Sequence, residues 1–127
     1  MSRLNLTIFL ITISVFAALH YVSLELYLYW RFPWLDIPMH FIGGAVVALS
    51  PFALRELRLP VPRVLLSLKA AIIFVFIVAL LWEVFEFSLA IAFANNYLFD
   101  TLGDLTVGLL GGFVGHAVAT RINTFSL

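Results

Sequence analysis

The chain has 127 residues, 64% hydrophobic and 11% charged, with seven basic residues balancing seven acidic ones and no cysteine. A soluble domain is about 45–50% apolar and about 25% charged, and a chain this short cannot hide the apolar excess behind so few charges, so the composition implies an integral membrane protein with one transmembrane domain over residues 1–127. The lack of cysteine excludes a disulfide framework, a thiolate metal site and a cysteine nucleophile, and zero net charge argues for no nucleic acid as partner.

The first charge-free run, 21 residues between Arg3 and Glu25, meets the roughly 20 apolar residues a helix needs to cross the hydrocarbon and predicts a helix near 4–25. It is too long for a signal-peptide core, and no small-x-small cleavage site follows it, so it reads as an uncleaved anchor. An aromatic loop comes next, with Tyr27, Tyr29, Trp30, Phe32 and Trp34 as interfacial anchors. The second run, 18 residues between Asp36 and Arg55, predicts a helix near 37–54. Pro60 and Pro62 then break the loop RELRLPVPR. From Lys69 to Asn95 the only charges are Glu83 and Glu86. Each carboxylate costs about 2.5–3.5 kcal/mol at mid-membrane, and Leu, Ile, Val and Phe contribute about 0.3–0.6 kcal/mol apiece in favour. With 15 such residues in 70–94 and both acids off-centre, a third helix near 69–94 inserts. Tyr97 and Phe99 form a second aromatic anchor pair, and the 16 charge-free residues between Asp104 and Arg121 belong to a fourth helix near 100–120. The expected fold is an all-α bundle of four transmembrane helices.

Basic residues set the orientation. Arg55, Arg58, Arg63 and Lys69 lie in the loop between the second and third helices, which four spans place on the same side as both termini, where Arg3 and Arg121 sit. Only Arg31 falls on the other side, so the positive-inside rule puts both termini in the cytoplasm of a plasma (inner) membrane.

The polar residues inside these spans concentrate toward the outer leaflet. Asp36 and His40 are four apart on the second helix, and Asp100 and Asp104 are four apart on the fourth, so each pair shares a face. Glu83 lies 14 residues after Lys69, about 21 Å along the third helix and in the outer half of a hydrocarbon layer about 30 Å thick. Glu83 and Glu86, spaced E-x-x-E, are expected to reach one ion together. His20 and His116 read as packing residues, and Glu25 as a solvated carboxylate at a span end. Small residues follow the polar stripes: Gly43 and Gly44 after His40, Gly108, Gly111, Gly112 and Gly115 after Asp104, and Ala79 and Ala90 beside Glu83 and Glu86. Such spacing lets helix backbones approach closely in lipid. The glycine-lined fourth helix can pack inside the bundle, against a second copy, or within a larger membrane complex. D-x3-H-x3-G at Asp36, His40 and Gly44 and D-x3-D-x3-G at Asp100, Asp104 and Gly108 form a weak parallel repeat.

Clustered carboxylates cannot all remain ionised without a cation. A divalent metal ion held by Asp36, His40, Glu83, Glu86, Asp100 and Asp104 is the leading expectation, as zinc, manganese or iron, or magnesium or calcium with more oxygen ligands. The ion would be structural, or would activate water against a lipid-linked or cell-envelope substrate. A proton or cation pathway and an accessory subunit of a larger membrane complex are the alternatives, and membrane lipid is the expected surround in each case. No serine or threonine sits beside a histidine, so triad catalysis has no support, and GLLGGFVGH lacks the lysine and preceding strand of a phosphate loop.

DIPMHFIGG (36–44), WEVFE (82–86) and DTLGDLTVGLLG (100–111), in that order, resemble the small YjdF-like bacterial inner-membrane proteins. The resemblance implies that His40, Glu83, Glu86, Asp100 and Asp104 belong to one motif, and it carries no activity. A looser likeness to VanZ-like proteins, through a helix-borne histidine, a glutamate and an aspartate ahead of a glycine-rich last helix, lacks the arginine those usually carry before the last aspartate.

Overall fold

In the computed structural model, residues 3–88 and 96–125 are described, and four of the helices are long and apolar enough to cross a membrane. Helix α1 covers Leu4–Glu25. Tyr27, left-handed at φ 54°, turns the chain into the short α2, Leu28–Arg31, and a 3-10 turn at Pro33–Leu35 leads into α3, Asp36–Glu56. Arg58, left-handed at φ 63°, starts the next turn, and a 3-10 turn at Arg63–Leu66 precedes α4, Leu68–Ser88. Helix α5 covers Tyr97–Phe125. Residues 89–94, the last part of the third expected helix with Ala90 among them, lie outside the described residues. Helix α5 outruns the expected 100–120 at both ends: backbone hydrogen bonding can continue past a membrane edge, where Arg121 and the aromatic residues Tyr97 and Phe99 carry no lipid penalty.

Pro51 sits inside α3 and has no N–H to give the Val47 carbonyl. The Ser50 hydroxyl donates to that carbonyl instead, at 2.8 Å, so the span keeps its backbone bonds satisfied where no water can.

Helix α3 is the hub. Its closest neighbour is α5, and the two run parallel: His40 faces Asp104, Gly44 faces Gly108, and Ala45 faces Gly115. A Cβ added at Gly44 would collide with the Gly108 carbonyl, and one added at Gly111 with the Phe41 carbonyl. Gly112 lies against Val75 of α4, where a Cβ would meet the valine methyl at 2.7 Å. The buried glycines of α5 thus face α3 and α4, and the close-packing partner of this helix is within the chain. Helix α1 runs antiparallel to α3, from Asn5 beside Glu56 to Phe16 beside Gly43. It is the peripheral helix, with 6% of its span buried against 39% in α3 and α5. Asn5 near the start donates its side-chain N–H to the Asn123 side-chain oxygen near the end at 3.1 Å, so both chain ends lie on one face of the bundle.

Candidate metal centre

The parallel pairing of α3 and α5 carries two acidic stripes to one place. Asp36 opens α3 in its first turn, where a carboxylate suits the positive end of the helix, and His40 follows one turn later. The His40 Nε2 lies 3.5 Å from Asp36 Oδ2 on its own helix, 3.7 Å from Asp104 Oδ2 on α5 and 3.9 Å from Glu83 Oε1 on α4. Three helices therefore converge on one imidazole nitrogen. His40 is 9% exposed, and Glu83 and Asp104 are 4% exposed; Asp36, Glu86 and Asp100 are half-buried around them.

All six acidic and imidazole residues singled out in the sequence fall into three overlapping groups. Asp36, His40 and Glu86 form one; His40, Glu83 and Asp104 form the second; Asp36, Asp100 and Asp104 form the third. In each, one potential ligand atom per residue lies within 4.8 Å of the others. Glu83 and Glu86 belong to different groups, which departs from the reading that E-x-x-E serves one ion jointly. Residues three apart on a helix point about 60° away from each other, and each carboxylate has its own anchor. Thr101 of α5 donates its hydroxyl to Glu83 Oε2 at 2.9 Å, and the Trp82 indole N–H donates to Glu86 Oε1 at 2.9 Å. His40 is the member that the two groups share.

These second partners were not singled out in the sequence. Trp82 and Glu86 are four apart, a spacing that brings helix side chains together, so that pair had a signal. Thr101 lies within the DTLGD segment beside Asp100, but its bond crosses to another helix and no spacing announces it. Tyr97 departs from a simple interfacial anchor, because its hydroxyl donates to the Glu83 backbone carbonyl at 3.0 Å and ties the start of α5 to α4.

The other two histidines have structural partners. His20 stacks on Phe16 with ring centroids 6.0 Å apart, meets Trp82 edge-on, and shares a 2.8 Å hydrogen bond between Nδ1 and the Tyr29 hydroxyl. Burial, helped by the nearby Asp36 charge, pushes the Tyr29 phenol up to about 12. His116 Nε2 hydrogen-bonds the Leu66 carbonyl at 2.9 Å and its ring packs edge-on to Phe52. Glu25 is exposed at the end of α1.

Residues 2–124 match a family model described as "Predicted membrane protein (DUF2238)", which agrees with the likeness to YjdF-like small membrane proteins. No curated protein matches the chain, and no solved structure does.

Proposed function

The chain belongs to the DUF2238 family of membrane proteins, and from that premise we propose that it is a bacterial inner-membrane protein that binds a divalent cation within the cluster of Asp36, His40, Glu83, Glu86, Asp100 and Asp104, in one of its overlapping ligand groups. One observation carries the reading: His40 Nε2 and Glu83 Oε1 are buried and neither makes a hydrogen bond. A buried polar atom without a hydrogen bond costs about 1–3 kcal/mol; the two lie 3.9 Å apart, and an ion between them would satisfy both.

The distances and charges support the same reading. Two ligand atoms, each about 2.0–2.6 Å from one ion, lie no more than about 4–5 Å from each other. The separations from His40 Nε2 are 3.5, 3.7 and 3.9 Å. Five carboxylates in a low-dielectric setting repel one another strongly, and a dication offsets that repulsion. An imidazole at the hub with carboxylates around it favours manganese, iron or zinc over calcium. The basic face that holds Arg3, Arg55, Arg58, Arg63, Lys69 and Arg121 is the cytoplasmic one by the positive-inside rule, which puts the site in the outer leaflet. There the ion would hold the three helices together, or activate water for hydrolysis of a lipid-linked or envelope substrate.

Elemental mass spectrometry on protein purified without chelator tests the reading. The expected result is a near-stoichiometric divalent ion that is lost in Glu83→Gln and in Asp104→Asn. A folded wild-type protein without ion, which also takes up none when offered Mn²⁺, Fe²⁺ or Zn²⁺, would overturn it.

A further inference from the structure

A cavity of about 580 Å³ lies between α1, α3 and α4. Helices α1 and α4 each pack on α3, and among the described residues they meet each other chiefly through the edge-on rings of His20 and Trp82. The cavity therefore has α3 as its floor, and its α1 wall carries exposed apolar residues such as Ile13 and Leu24. Its lining runs from Ile13 to Leu24 on α1, from Val47 back to Asp36 on α3, and from Val75 to Glu86 on α4. Each stretch covers 11 residue steps, or about 16 Å at 1.5 Å per residue. That is close to one leaflet of a hydrocarbon layer about 30 Å thick.

The cavity is apolar over nearly all of its surface, with charged side chains at one end only. Ile13, Val47 and Val75 mark one end, and Asp36, His40 and Glu86, one of the three candidate ligand groups, mark the other. A slot about one leaflet long with an almost wholly apolar lining suits a single hydrocarbon chain, and hydrocarbon chains are what surrounds the bundle in a membrane.

We propose that this cavity holds one acyl chain of a bilayer phospholipid, which enters sideways between α1 and α4 and sets its phosphate at the Asp36, His40 and Glu86 end. The seat for the chain rests on the cavity alone. The position of the phosphate rests on the divalent-cation reading above with the ion held in the Asp36, His40 and Glu86 group, since bare carboxylates would repel it and neither Glu83 nor Asp104 lines the cavity. The lipid supplies what the two ends ask for: an apolar tail one leaflet long, and an anionic head for a metal-lined rim.

The test is photolabelling in phosphatidylglycerol vesicles that contain phosphatidylglycerol with a diazirine on one acyl chain, with the adducts mapped by peptide mass spectrometry. The expected adducts fall on cavity residues Gly43, Val47 and Val78 as well as on the outward-facing Leu81 and Leu110. A Cβ at Gly43 would meet only the Phe16 ring, at 3.5 Å, so Gly43→Leu fills the cavity without striking backbone. That variant is expected to lose the adducts at Val47 and Val78 severalfold while keeping those at Leu81 and Leu110 and its full ion content. Wild-type adducts confined to Leu81, Leu110 and similar outer positions would overturn the proposal, whatever the ion content. Cavity adducts on a protein that binds no ion would support the chain's seat and overturn the placement of the phosphate together with the cation reading.

Discussion

Glu56 closes the end of the bundle opposite the candidate centre. Its two carboxylate oxygens accept the backbone N–H groups of Asn5 at 3.1 Å and Leu6 at 2.8 Å, donors at the start of α1 that have no partner within their own helix. A carboxylate there also faces the positive end of the helix. Glu56→Ala is expected to lose about 1–3 kcal/mol through the orphaned donors, visible as a lower unfolding temperature in detergent, with Glu56→Gln in between; an unchanged temperature would contradict the capping role. At the site, the corresponding single bond is Thr101 to Glu83. Thr101→Val removes the donor while leaving every candidate ligand in place, and loss of an outer-shell partner typically weakens metal binding about 10–100-fold. Ion titration of Thr101→Val beside wild type measures this, and equal affinities would show that Thr101 does not orient Glu83. At this scale the sequence was legible where the partners share a helix, as Asp36 with His40. It was silent where the bond crosses helices, as with Thr101 and Glu83, or Asn5 and Glu56, because spacing along one chain says nothing about what faces it.

Among the elements, the contact between α3 and α5 sets the position of the site. The two repeats, Asp36-His40-Gly44 and Asp100-Asp104-Gly108, lie on parallel helices with their equivalent positions side by side: His40 beside Asp104, and Gly44 against Gly108. The glycines bring the backbones close, and the polar residues one and two turns earlier are drawn together as a result. The repeat in the sequence therefore had a structural meaning, and the glycine stripe marked the packing face. What the stripe left open was the partner, and the contacts with Phe41, Ala45 and Val75 identify it as the chain's own α3 and α4. Gly111→Leu should force these helices apart, because any side chain there strikes the Phe41 backbone; overpacking of this kind costs about 1–3 kcal/mol or more, and ion binding should fall with it. Gly103 is the internal control. A Cβ there meets nothing within 4 Å, so Gly103→Ala should leave ion binding intact and stabilise α5 by about 0.5–1 kcal/mol. Thermal unfolding of the two variants in one detergent decides the matter, and equal losses would mean that close approach at Gly111 is not what holds the helices.

At the scale of the whole molecule, composition carried the most information. A chain 64% hydrophobic with charges gathered at a few points has to form helices in lipid, because each backbone group must be satisfied within its own segment. Which side faces the cytoplasm is argued from charge, and the absence of cysteine makes it directly measurable. Single cysteines at Leu59, in the basic loop, and at Trp34, on the opposite face, are both exposed positions. A membrane-impermeant maleimide on intact cells should label Trp34→Cys and spare Leu59→Cys, and the reverse pattern would invert the topology. The central claim, that His40 is the hub of a cation site built from three helices, is tested most directly by anomalous diffraction at the absorption edge of the ion found in the purified protein. One anomalous peak is expected between His40 Nε2, Glu83 Oε1 and Asp104 Oδ2, or between His40 and the Asp36 and Glu86 carboxylates. A peak away from these residues, or none from crystals saturated with the ion, would contradict it.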